Sequence, residues 1–221
     1  MLPAQTLQAA RSTSRRSATV ALCLAAYACT ALITESLAQT PPPTIRMRGN
    51  IVSVTPTSLV VKDRSGETVD LLMSDKLVVS EVYPIKLEDI KPGSYIGTAA
   101  MPQADGTQRA IAVSVFPEAA RGTGEGHRPF DLLPQSTMTN ATVADVGNIA
   151  NTPTGRQLQL KYKDGEKTVI VPADAPIVTS RPGDRALLVP GASVSLFAQE
   201  VAGKPTVMRM NVGKNGFALP Y

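Results

Sequence analysis

A chain of 221 residues, 43% hydrophobic but only 4% aromatic, has room for one or two domains of ordinary size. Its 22 Lys and Arg against 18 Asp and Glu give a formal charge of +4, and Arg11, Arg15, Arg16 and Glu35 of that total lie in the first 38 residues. The remainder sits near neutrality, at +2, a mixed surface that argues against a nucleic-acid-binding protein.

Residues 1–38 have the three parts of a secretory signal. Arg11, Arg15 and Arg16 form a positive start, Ala18–Ile33 is an apolar run, and Ser36-Leu37-Ala38 is a small-x-small cleavage site. The apolar run falls short of the roughly 20 residues that span a bilayer, so cleavage before Gln39 and a periplasmic or secreted location are expected. Ser14-Arg15-Arg16-Ser17 lacks the hydrophobic residues that follow the pair in a twin-arginine signal, which favours the general export route. Both cysteines, Cys23 and Cys29, fall in this leader. The exported chain is then expected to lack disulfides, thiolate metal sites and cysteine nucleophiles.

Residues 39–43 form a stiff Pro-rich spacer. Thereafter the pattern is β throughout. Strands are predicted over 44–55, 58–63, 68–73 and 77–83, a single helical turn over 87–90, and strands over 95–101 and 110–116. Val69, Leu71 and Met73 alternate onto one face, the period of a half-buried strand. Arg64–Glu67 is a hairpin turn with Gly66 where a positive φ is wanted.

The order then recurs. Leu59–Glu67 (LVVKDRSGE) aligns without a gap to Leu158–Glu166 (LQLKYKDGE), Lys91-Pro92-Gly93 to Val189-Pro190-Gly191, and Ala110–Val115 to Val207–Val212. A tandem duplication is therefore expected, giving an all-β protein of two small five-stranded barrels, OB-like or SH3-like, at 44–118 and 138–213. A two-sheet sandwich accommodates the same strands. A Gly-rich connector (119–137) separates the halves, and a tail (214–221) either stays disordered or docks on a partner. Tyr83, Tyr95, Phe116, Tyr162 and Phe197 lie in or beside strands and are expected in the core.

Chemistry is concentrated in the connector. It holds the single histidine of the chain, and Arg121, Glu125, His127, Arg128 and Asp131 are the candidate ligand-contacting residues. Glycines 122, 124 and 126 let backbone approach a ligand closely. As a plain linker, the segment would instead pair Arg121 with Glu125, or Arg128 with Asp131, at the surface. The spacing is not a dinucleotide fingerprint, since Pro129 and Pro134 block the helix that would receive a phosphate.

Residues 121–143 (RGTGEGHRPFDLLPQSTMTNATV), with Gly49–Val54 (GNIVSV) and Leu59–Asp63 (LVVKD), resemble a group of exported proteobacterial proteins with small β-barrel domains of unknown function. The resemblance covers most of the chain after the leader and implies a secreted binding or structural protein. Phe130 stands where that group has Trp. Some members are labelled metal-transporter components, and that label does not suit this chain. One His, no Cys after the leader and no Asp-rich calcium loop offer no metal site.

The expectation is thus a non-catalytic periplasmic binding or adaptor module without a cofactor. Its partner would be an envelope protein, a glycan or an anionic ligand, with no nucleic acid and no membrane span. The alternatives are a structural envelope protein whose connector locks the two barrels, and a hydrolase using His127 as general base with Glu125 or Asp131 to orient it.

Overall fold

The computed structural model describes residues 44–146 and 155–221. The expected leader with Cys23 and Cys29, and the Pro-rich spacer, lie outside the described residues. Those described form an all-β protein: twelve strands, four single 3-10 turns and no α-helix. No helix among them is long and apolar enough to cross a membrane.

Strand formation follows the alternation read from the sequence. In β2 (Ser58–Asp63), Leu59 and Val61 point inward; in β8 (Arg156–Tyr162), Leu158 and Leu160 do the same. Their neighbours face outward, as a period of two requires. Gly66 takes a φ of 92° in the first hairpin, whereas the second turns tightly through Lys163 and Asp164, pairing Tyr162 with Gly165. The 77–83 segment is not a separate strand. β3 runs unbroken from Thr68 to Pro84, and the predicted helical turn is the 3-10 turn at Leu87–Asp89.

Strand pairing cuts across the two halves. β1 (Thr44–Val54), β2 and β3 form an antiparallel meander, but the barrel they begin is closed by β11 (Ser193–Val201) and β12 (Lys204–Gly213). β12 runs parallel to β3, and β11 returns antiparallel to β1. The second closed circuit has the same order. β7 (Thr137–Val146), β8 and β9 (Gly165–Val171) are completed by β5 (Gln108–Val115), parallel to β9, and β4 (Tyr95–Pro102), antiparallel to β7. Each barrel takes three strands from one half and two from the other. The ranges 44–118 and 138–213 are therefore not two separate barrels, and the described residues cluster as one compact unit.

The exchange gives two cores. Ile51, Leu59, Val61, Leu71, Leu196 and Met210 are central to one; Ile96, Val113, Val143, Leu158, Leu160 and Val169 to the other. Each such side chain contributes about 1.5–3 kcal/mol on burial. Where the chain crosses between barrels, the far half of β3 pairs antiparallel with β10 (Ile177–Pro182), register Val82 to Ser180 and Glu81 to Arg181. Arg181 forms an ion pair with Glu81 there. A third cluster covers the crossing: Val82, Val178 and Leu219, with Phe217 and Tyr221 packed on them. The tail thus folds back on its own chain, correcting the expectation of a disordered or partner-docking end. The Leu219 amide donates to Ser193 Oγ at 3.1 Å.

Candidate functional site

The connector is more structured than a linker. After a 3-10 turn at Glu118–Ala120 it adds a short strand, β6 (Gly126–Pro129), to the edge of β7. Alternation along β6 sends His127 and Arg128 to opposite sides. His127 pairs with Thr139 and shares a hydrogen bond of 2.8 Å between Nδ1 and Thr139 Oγ1. Burial, helped by the positive charge of Lys167, holds the His127 imidazole below its ordinary pKa.

The five expected site residues do not converge. Arg121 turns back to Glu118 at 2.6 Å and donates to the Gly93 carbonyl. The Glu125 carboxylate accepts from the Lys163 backbone N–H at 3.1 Å. Arg128 donates to the Gly124 carbonyl at 2.7 Å. Asp131 reaches β1, where Arg46 approaches at 3.1 Å and Arg48 donates twice, at 2.7 and 3.2 Å. Neither the Arg121–Glu125 nor the Arg128–Asp131 pair forms. His127 has neither carboxylate beside it as a hydrogen-bond partner, so the arrangement a His127-dependent hydrolase needs is not assembled.

Of the five, Arg128 lines a groove of about 330 Å³ formed by both barrels and the tail, and Asp131 pairs with two arginines of its wall. Arg46 and Arg48 stand two apart on β1 and share its outer face. Phe197 from β11, Arg209 from β12 and Phe130 from the connector complete one wall. Guanidiniums and rings alternate along it: Arg48 and Arg46 each lie 5.3 Å from the Phe130 ring centre, and Arg46 and Arg209 lie 5.0 and 5.5 Å from that of Phe197. Such contacts orient a guanidinium while leaving its N–H groups available. On the other barrel, the positions equivalent to Arg46 and Arg48 by strand pairing are Met138 and Asn140, so three of the groove's arginines (46, 48 and 209) sit on one side and Arg128 on the other.

The electrostatic balance is uneven. Four arginines line the groove (46, 48, 128 and 209), and among the described residues one carboxylate, Asp131, is paired with any of them. The Arg48 hydrogen bonds hold the Asp131 carboxyl below its ordinary range against the opposing effect of burial. Two buried polar atoms of the described residues lack a hydrogen-bond partner, Arg48 Nε and Asn140 Oδ1, and both belong to groove residues. Buried polar atoms are seldom left unpaired in folded proteins.

Phe116 and Phe197, expected in the core, line the groove instead, while Tyr95 is buried at 3% exposure as expected. Arg46, Arg48, Asn140, Phe197 and Arg209 were not among the sequence candidates. The one local signal was Arg46-Met47-Arg48 in an alternating strand, which places two charges on one face. No family model, curated protein or solved structure matches this chain in comparison.

Proposed function

We propose that this chain is an exported, non-catalytic binding protein that takes an anionic ligand in the groove between its barrels. The observation that carries this is the groove's charge, four guanidiniums against one carboxylate, in a concave site whose walls focus the field. Its volume lies at the small-molecule end of ligand pockets. The strand order of each circuit, with third and fifth strands parallel, is OB connectivity, a frame that serves binding modules. The leader read in residues 1–38 and the resemblance of residues 121–143 support export; the mature protein would begin at Gln39, as intact mass of the periplasmic form would report.

The test is an amide-detected titration of the labelled protein with inorganic phosphate and with benzoate. Saturable shifts are expected in β1, β11, β12 and residues 128–140, vanishing at high salt and in Arg46→Ala/Arg209→Ala. Absence of saturable shifts, or shifts indifferent to that double variant, would overturn the proposal.

A purely structural role for the connector has one observation in its favour: Asp131 ties residues 119–137 to β1 through two arginines. It predicts loss of stability on breaking that tie with no ligand bound in any variant.

A further inference from the structure

Resting on that assignment of the groove, we infer that its ligand is an acidic saccharide, held as one sugar unit or a chain end. The inference starts from the two orphaned atoms. Asn140 is 5% exposed, and its Nδ2 donates to the Thr123 carbonyl at 3.0 Å. That bond fixes which end of the amide is spoken for and leaves Oδ1 as an unmatched acceptor. Arg48 Nε, from β1, is an unmatched donor of the same lining. A bare carboxylate satisfies Arg48 but has no proton for Asn140. A polyhydroxylated molecule supplies both kinds of partner, a hydrogen for Oδ1 and lone pairs for Nε.

The rest of the lining has the same chemistry. Ser80, Ser114, Ser180 and Ser195 come from four different strands to the groove, with Asn211. These are short neutral groups that match a polyhydroxylated molecule. Gly97 keeps the floor open: a Cβ there would stand 2.7 Å from Asn140 Oδ1 and 3.0 Å from Phe116 Cε2. Phe116 and Met138 remain as a small apolar surface for a sugar's C–H face.

A nucleotide also carries acid and hydroxyl groups, but a base placed beside the arginines that take its acid needs an open ring there to stack on. Phe130 and Phe197 each already have two guanidiniums over the ring. The volume of about 330 Å³ suits one ring and its acid better than a run of a polymer.

The experiment compares four probes by calorimetry on the full protein: glucuronate, glucose, cyclohexanecarboxylate and adenosine monophosphate. Glucuronate is expected to bind about tenfold more tightly than cyclohexanecarboxylate, equivalent to about 1.4 kcal/mol, and glucose not measurably. Asn140→Ala should abolish the preference, bringing glucuronate down to the affinity of cyclohexanecarboxylate; if that variant does not fold, the probe comparison on the unaltered protein decides alone. Equal affinity for the two acids would overturn the saccharide while leaving the anion site standing. Tighter binding of the nucleotide would overturn it in favour of that class. Failure of every anion would remove both the saccharide and the groove's function.

Discussion

Arg48 and Asp131, 83 residues apart in the chain, meet as a two-pronged ion pair at 2.7 and 3.2 Å. Asp131 is 55% exposed as a side chain and Arg48 only 13%, so the arginine is held in the groove wall and the carboxylate approaches it from the solvent side. Two of the groove's arginines thus already hold one carboxylate, supplied by their own chain. Asp131→Asn should release Arg46 and Arg48 and raise affinity for benzoate several-fold. Because the pair is half-exposed, the cost in chemical denaturation should be modest, about 1 kcal/mol. Weaker benzoate binding in this variant would contradict the idea that Asp131 competes with ligand.

The pH dependence of stability has two steps. His127 is held below its ordinary pKa of 6.5 by burial, so the unfolded chain takes up that proton first. Its contribution is complete above pH 6.5 and is lost as pH falls through its lowered folded value. Asp131 is held below 3.8 by Arg48; its contribution begins to fall near pH 3.8 and is gone below its folded value. Urea denaturation followed against pH should show both steps. His127→Gln should remove the upper step, and Asp131→Asn should reduce the lower one, to which Asp63 and Asp105, also lowered by hydrogen bonds, still contribute.

Exchange of strands between halves can be tested by cross-linking. Thr44 lies opposite Gln199 across the β1–β11 pair, and the described residues contain no cysteine. Thr44→Cys with Gln199→Cys should oxidise to a disulfide in the folded protein. Thr44→Cys with Met101→Cys should not, although that pair would be opposite if each half closed its own barrel. Non-reducing electrophoresis and peptide mass mapping distinguish the two, and the reverse outcome would refute the exchange.

Gly97→Ala probes the groove floor. The added methyl meets Asn140 Oδ1 and Phe116, and one of them must move into the groove. The variant should fold, at a cost of about 1–3 kcal/mol, with benzoate binding weakened more than tenfold. Unaltered binding would show that ligand does not use this wall.

Much of the strand layout was legible beforehand because alternation is a local property. Leu59 and Val61, like Leu158 and Leu160, declared their inward faces through a period of two, and Gly66, Gly93 and Gly191 marked turns where φ is positive. The continuity of β3 through Ser74–Lys76 was not legible. Those polar residues look like a break, and they stay extended because β12 and β10 pair the strand beyond them. Of the candidate site, only Arg128 lines the groove, while Asp131 reaches two of its arginines. The connector's composition drew attention, but Arg46, Phe197 and Arg209 are ordinary strand residues until β1, β11 and β12 lie side by side.

The sequence by itself determined the all-β class, the facing of most strands and the repeat, since each depends on residues near one another in the chain. Only the tertiary structure decided which strands are partners, and with that where the charge gathers. A strand's backbone groups accept any suitably placed partner, so β1–β3 carry no local instruction to close with β11 and β12 and not with β4 and β5. Once they do, arginines and aromatics scattered over the chain become neighbours, and a chain with only a small excess of basic over acidic residues presents a concentrated cationic groove.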